Sequence, residues 1–170
     1  MSQSQAAEAV LSAPERFEKK LKEVIRDVPD FPKPGILFKD ITPVLHLPEY
    51  RKTALEALLF SIHNNIVLNQ YRIDAIAGME SRGFLFGMML ADHLNVPFIP
   101  IRKAGKLPYH KISKSYNLEY GEATIEMHTD AVTPDMHVLI HDDLLATGGT
   151  AQATAQLIKQ AGGVVAGFAF

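Results

Sequence analysis

Four short runs rich in Ile, Val and Leu constrain the fold most: IDAIAGM from Ile73, VPFIPIRK from Val96, HVLIHDD from His137 and GVVAGFAF from Gly163. Segments of helical period, FLFGMMLADHL and TAQATAQLIKQAG, fall between them. A strand that is apolar on both faces needs cover on both, and intervening helices supply it. The alternation therefore predicts an α/β fold: an open, mainly parallel twisted sheet with helices on both faces. In such a sheet ligands gather beyond the carboxyl ends of the strands, so residues just after each strand become the candidates for function.

At 170 residues one compact domain is expected, spanning 1–170, with an N-terminal helix and hood over about 14–45 and a core over about 46–170. PERFEKKLKEVIRDV sets Phe17, Leu21, Val24, Ile25 and Val28 on one helical stripe starting near Pro14, and EYRKTALEALLFSIHNNIV repeats the period. Between them VPDFPKPGILFKDITP carries three prolines within six residues, which forbids a helix or a central strand and predicts an ordered surface arm. The segment Tyr109–Met127 is polar and then alternates, as a mobile hairpin lid would.

Composition narrows the partners. Net charge is -2 with acids and bases interspersed and no basic stripe, so nucleic acid is not an expected partner. The absence of cysteine rules out a disulfide framework and thiolate metal sites. No apolar run reaches the ~18 residues of a membrane span, and MSQSQAAEAVLS lacks the features of a secretory signal. The expectation is a cytoplasmic protein acting on small molecules.

VLIHDDLLATGGT, Val138–Thr150, poses a chemical puzzle. Its glycine turn feeds a helix whose free N–H groups and positive end favour a phosphate, with Ala146, Thr147, Gly148, Gly149 and Thr150 forming the cradle. Asp142 and Asp143 would repel that phosphate unless they face hydroxyls or a cation. A ribose 5-phosphate meets both demands, with its phosphate in the turn and its 2′ and 3′ hydroxyls on the acids. The G-x-G-x-x-G fingerprint and the Walker lysine are both absent, which excludes a dinucleotide or ATPase site of those kinds. Because neighbours in a strand face opposite ways, the two aspartates must lie where the strand relaxes into the loop. A lone strand histidine, His141, is expected to pack in the core with its ring hydrogen-bonded. AGMESRGFLFG is a second strand-turn-helix, where Ser81, Arg82 and Gly83 can hold a second anion. IRKAGKLP places Arg102, Lys103 and Lys106 at another strand end.

With these motifs in order, the chain resembles the type I phosphoribosyltransferases, and DDLLATGGT is similar to the form found in members that act on adenine. The resemblance implies the reaction of adenine with 5-phosphoribosyl 1-pyrophosphate to give AMP and pyrophosphate in purine salvage. It makes ESRGF the pyrophosphate loop, with a cis peptide between Glu80 and Ser81, and assigns Arg102, Lys103 and Lys106 to pyrophosphate, in part across the interface of a homodimer. YNLEYG is similar to the family's lid, which implies that Glu119 transfers a purine proton and that Tyr120 closes on the phosphates. DFPKPGILFKDITPVL is similar to the family's hood, which implies that Phe38 stacks on adenine, Leu37 contacts it through the main chain and Lys39 holds a basic position. Mg2+ is implied on the substrate's oxygens, meeting Asp142 and Asp143 through water or substrate. His141, where an aliphatic is usual, and LPYHK depart from the family pattern. The chain is expected to stop before the family's C-terminal segment. A phosphoribosyl-pyrophosphate-binding regulator without turnover, or a transferase for another purine base, are the alternatives.

Overall fold

The computed structural model describes residues 12–68, 70–117 and 121–170. By its internal contacts the chain divides into two compact units, one up to Phe60 and one from Ser61 to Phe170.

The first unit opens with helix α1, Ala13–Lys22. Ser12 and Glu15 form a capping box at its start: the Ser12 N–H and hydroxyl both donate to the Glu15 carboxylate, at 2.8 and 2.6 Å. Three lysines crowd its last turn, where the helix dipole favours cations. The helix stops sooner than the apolar stripe suggests. Arg26–Pro29 form strand β1 and pair with β2, Leu37–Asp40, as an antiparallel ribbon, so Val28 is extended rather than helical. Pro29 explains the switch, because a proline biases the residue before it toward extended backbone. Cross-strand ion pairs Arg26–Asp40 and Lys39–Asp27 reinforce it. The proline-rich arm thus forms a two-stranded sheet of its own, β1-β2. A short helix α2, Thr42–His46, leads to α3, Pro48–Ile62, which continues as a π-helical turn over His63–Val67.

The second unit is a six-stranded sheet in the order β5-β6-β4-β3-β7-β8. Its strands are β3 Ala75–Met79, β4 Phe98–Lys103, β5 Lys111–Asn117, β6 Glu122–His128, β7 His137–His141 and β8 Val164–Ala169. Pairings β4·β3, β3·β7 and β7·β8 are parallel, whereas β6 pairs antiparallel with β4 and β5. Strands β5 and β6 therefore extend the sheet beyond β4. Helix α4, Gly83–Leu94, joins β3 to β4, and α5, Gly149–Gln160, joins β7 to β8.

Alternation along the strands assigns each helix a face. Ala75, Ala77 and Met79, with Ile99, Ile101, Val138 and Ile140, pack against Ala151, Ala153, Leu157 and Ile158 of α5 in one core. The opposite side of the same strands carries Gly78, Phe98 and His141 and meets α4. There a Cβ on Gly78 would lie 2.6 Å from the Phe98 ring, and one on Gly87 would lie 2.9 Å from it. The absent side chains let α4 sit close on the sheet, with Phe84 edge-on to Phe98 at 5.8 Å.

Asp74 stays outside β3, where sequence periodicity placed it. Its carboxylate accepts the His137 N–H and Arg72 Nε, each at 2.8 Å, and these bonds hold it below the usual carboxylate range. Among the described residues no helix is long and apolar enough to cross a membrane.

Candidate active site

Because β4, β3 and β7 are adjacent and parallel, their carboxyl ends share one edge of the sheet. Three loops leave that edge: Ala104–Leu107, Glu80–Arg82 and Asp142–Gly148. Together with the residues that flank them, they contain most of the residues singled out by sequence.

The two strand-to-helix turns interlock at Gly83. A Cβ there would lie 2.6 Å from the His141 carbonyl oxygen and 3.1 Å from Asp142 Oδ1, so only glycine lets the loop after β3 close on the loop after β7. Arg82 completes the link, its Nε 3.1 Å from Asp143 Oδ2. A cleft of about 190 Å³ opens beside them, lined by Met79, Arg82, Asp142, the run Leu144–Ala151 and Phe170. Ala146, Thr147, Gly148, Gly149 and Thr150 all line it. Gly148 adopts φ 79°, and α5 starts at the next residue. The first N–H groups of a helix have no acceptor within it, and the residues that carry those of α5 line the cleft.

The two acids differ. Asp142 follows the last strand residue, accepts the Asp143 N–H at 2.9 Å and lines the cleft. Burial pushes its carboxyl up to about 6, against that N–H bond and with the help of the neighbouring Asp143 charge. Asp143 instead turns to Arg82, and its side chain is only 8% exposed. Its Oδ1 is buried with no hydrogen-bond partner among the described residues. Asp142 thus lines the cleft while Asp143 pairs with the arginine.

Glu80 anchors the neighbouring loop. Its Oε2 accepts the Lys103 N–H at 2.9 Å and Arg102 Nε at 3.3 Å, and the same two contacts hold its carboxyl below the usual range. The peptide between Glu80 and Ser81 is cis, as the resemblance implied, and the Ser81 side chain is exposed. Arg102 also donates to the Lys106 carbonyl at 3.2 Å, so it folds back on its own chain. Lys103 and Lys106 are exposed and do not line the cleft. Glu126, buried beneath the loop, accepts the Gly105 N–H and Lys111 Nζ at 3.0 Å each.

Leu37, Phe38 and Lys39 belong to β2 of the first unit, where Phe38 meets the Phe31 ring edge-on at 5.2 Å and Lys39 pairs with Asp27 at 2.5 Å. Glu119 and Tyr120 lie outside the described residues. His141 is buried with Nδ1 2.9 Å from the Ala169 carbonyl, the structural role expected of it, and burial lowers its basicity.

Sequence reasoning passed over Tyr116, whose hydroxyl is 2.8 Å from Thr150 Oγ1, and Phe170 and Met79 in the cleft wall. Alternation in β5 could have found Tyr116, because it shares the inward face with Ile112. Among the described residues no group of three His, Asp or Glu side chains could hold a metal alone. Asp142 and the orphaned Asp143 Oδ1 do suit a hard cation that arrives on a ligand's own oxygens.

The phosphoribosyl transferase domain family matches residues 48–170. The adenine phosphoribosyltransferase of Cytophaga hutchinsonii is 51% identical over 156 residues, which cover 92% of this chain and 83% of that protein. The crystal structure of the Rhodothermus marinus adenine phosphoribosyltransferase superposes with a TM-score of 0.82 at 54% identity, over 92% of this chain and 85% of that one. The Saccharomyces cerevisiae adenine phosphoribosyltransferase, complexed with adenine and D-2,5-dideoxy-2,5-imino-altritol 1,6-bisphosphate, superposes with a TM-score of 0.84 at 37% identity, over 89% of this chain and 85% of that one. With two anion-seeking turns locked together at the carboxyl edge of a mainly parallel sheet, and with relatives this similar along most of its length, the chain belongs to the phosphoribosyltransferase family, among the adenine phosphoribosyltransferases.

Proposed function

We propose that the chain transfers the 5-phosphoribosyl group of 5-phosphoribosyl 1-pyrophosphate to adenine, giving AMP and pyrophosphate. The observation that carries this reading is the interlock of Gly83 and Arg82 with the Asp142–Asp143 pair, which puts a phosphate turn and an anion loop on either side of one cleft.

In this reading the sugar's 5-phosphate sits in the turn Ala146–Thr150, and Asp142 accepts from the ribose hydroxyls. Arg82 and the Ser81–Gly83 backbone face the pyrophosphate, with Arg102, Lys103 and Lys106 adding positive charge at the next strand end. The C1–O bond to pyrophosphate breaks, the bond from C1 to the adenine nitrogen forms, and the proton on that nitrogen passes to Glu119. Tyr120 closes over the phosphates. Phe38 stacks on the adenine, the Leu37 main chain reads its edge and Lys39 supplies a nearby cation. Holding both reactants in line and stabilising separated charge is the work the protein does. Mg2+ fits at Asp142 and Asp143, and when bound it neutralises charge developing on the leaving group. Two further readings accompany this one: a homodimer, supported by the exposed Leu85 and Met88 of α4, and a cytoplasmic location, supported by a cysteine-free chain of near-neutral charge.

The test is release of pyrophosphate with Mg2+ and each purine base in turn. AMP formed from adenine supports the assignment, preference for guanine, hypoxanthine or xanthine relocates the specificity, and binding without turnover makes the chain a regulator. Replacing Glu119→Ala is expected to lower kcat by about 10²–10⁴-fold, the usual contribution of a general base.

A further inference from the structure

We propose that Tyr116 is a positioning residue: it sets the hydroxyl of Thr150 to donate to the sugar phosphate. This rests on the reading that the turn Ala146–Thr150 takes the 5-phosphate.

Tyr116 lies in β5, on a different branch of the sheet from the phosphate turn, yet it touches that turn in two ways. Its ring abuts Gly149, where a Cβ would be 3.2 Å from Cδ2 and 3.5 Å from Cε2. Its hydroxyl is 2.8 Å from Thr150 Oγ1, with either oxygen able to donate. The base of the ring is fixed independently, because Tyr116 and Ile112 both pack on the core beneath α5. A methyl on residue 149 would therefore require the Tyr116 ring to give by a few tenths of an ångström, so the glycine keeps the ring close to the turn.

The direction of that hydrogen bond has a consequence. A phosphate group that is fully ionised only accepts, so a Thr150 hydroxyl serving it must donate to it. Only the lone pairs of Thr150 Oγ1 then remain for Tyr116, and Tyr116 must donate. The chain runs one way, from Tyr116 Oη–H to Thr150 Oγ1–H to phosphate oxygen, and each bond polarises the next. Thr154 does not compete, because its hydroxyl donates at 2.9 Å to the Thr150 carbonyl and leaves the side-chain oxygen alone. Tyr116 removes the freedom of a hydroxyl rotor before the ligand arrives, although it lines no part of the cleft.

Three variants test this: Tyr116→Phe, which keeps the ring on Gly149, Thr150→Val, and the two combined. Calorimetric titration with ribose 5-phosphate and steady-state kinetics in 5-phosphoribosyl 1-pyrophosphate are the readouts. Tyr116→Phe is expected to raise the Kd and the KM together by roughly three- to tenfold, the range of one hydrogen bond, with a smaller change in kcat and melting within a few degrees of the parent. In the Thr150→Val background the same change is expected to do almost nothing, because its target hydroxyl is gone. If Thr150→Val weakens ribose 5-phosphate but Tyr116→Phe does not, or if the two effects simply add, Tyr116 is packing only and the inference fails while the phosphate reading stands. If the parent protein does not bind ribose 5-phosphate, or Thr150→Val binds it as the parent does, the phosphate reading fails and takes the inference with it.

Discussion

The loop after β3 and the loop after β7 have the same plan, a strand end turning into a helix, but they are built differently. Glu80–Gly83 is tied down on every side: Glu80 is held by the Lys103 N–H and Arg102, its own N–H donates to the Ile101 carbonyl at 2.9 Å, and Gly83 is pressed on the His141 carbonyl. Asp142–Gly148 is open. Leu144 and Leu145 are 52% and 54% exposed, and the segment is fastened chiefly at its two ends, by Arg82 on Asp143 and by Tyr116 on Thr150. A loop anchored through its first residue and pressed against its neighbour is pre-shaped, whereas one fastened chiefly at its ends can adjust to a ligand. The comparison teaches that the rigid turn braces the receptive one, and Gly83 is where the brace bears.

Removing the brace at its tightest point gives the largest effect. Gly83→Ala brings a methyl within 2.6 Å of a carbonyl oxygen in the other loop, and backbone cannot move aside as a side-chain tip can. A loss of about 3 kcal/mol in denaturant unfolding is expected, the upper part of the range for overpacking, together with loss of most transferase activity. Unchanged stability would mean that the two turns are not in register as described. Arg82→Ala comes next. It leaves Asp143 nearly buried without its partner, and breaking such pairs costs about 3–5 kcal/mol when both members are dry. Arg82 is 38% exposed, so about 2 kcal/mol is expected here. Arg82→Lys should recover part of the stability and little of the activity, because an ammonium lacks the planar fork that can hold Asp143 and an anion at once.

How far the sequence foretells this can be judged from particular residues. The alternation of aliphatic runs and helices announces the sheet, and the thirteen residues Val138–Thr150 announce the cleft, because strand, acids and glycine turn are contiguous and each has a local signature. Val28 misleads, since a stripe of helical spacing continues past Lys22 while Pro29 and the charge pairing with β2 take the backbone elsewhere. The divergence of Asp142 and Asp143 is equally hidden. Adjacent identical residues look like a pair, and only the position of Arg82 on a loop some sixty residues earlier decides which acid turns inward. Alternation can place Tyr116 on the inward face of β5, but its pairing with Thr150, 34 residues away, is hidden for the same reason. What is local is legible, and what depends on which strands become neighbours is not.

The smallest effect is also the sharpest test of the contrast, because its sign differs between the two turns. Glu80 is held below the ordinary carboxylate range by N–H donation and Arg102, so its ionised form stabilises the fold. That contribution is present above its unfolded value of 4.5 and is lost as pH falls through the lower folded value. Asp142 is raised from 3.8 to about 6, so its contribution is present below 3.8 and is lost as pH rises through about 6. At pH 7.5, then, Glu80→Gln should destabilise the protein, while Asp142→Asn should stabilise it by about 1 kcal/mol, a figure well below the roughly 1.4 kcal/mol per unit of full linkage because the site is partly open to water. Below about pH 3.5 the Asp142→Asn advantage should vanish and the Glu80→Gln deficit should shrink. The gain at Asp142 should come with weaker binding of 5-phosphoribosyl 1-pyrophosphate, as expected where a carboxylate is kept charged in a dry place for a ligand's hydroxyls. Urea unfolding of the three proteins at both pH values decides it: if both substitutions shift stability in the same direction at pH 7.5, the braced turn and the receptive turn do not differ electrostatically, and the contrast between them is one of shape alone.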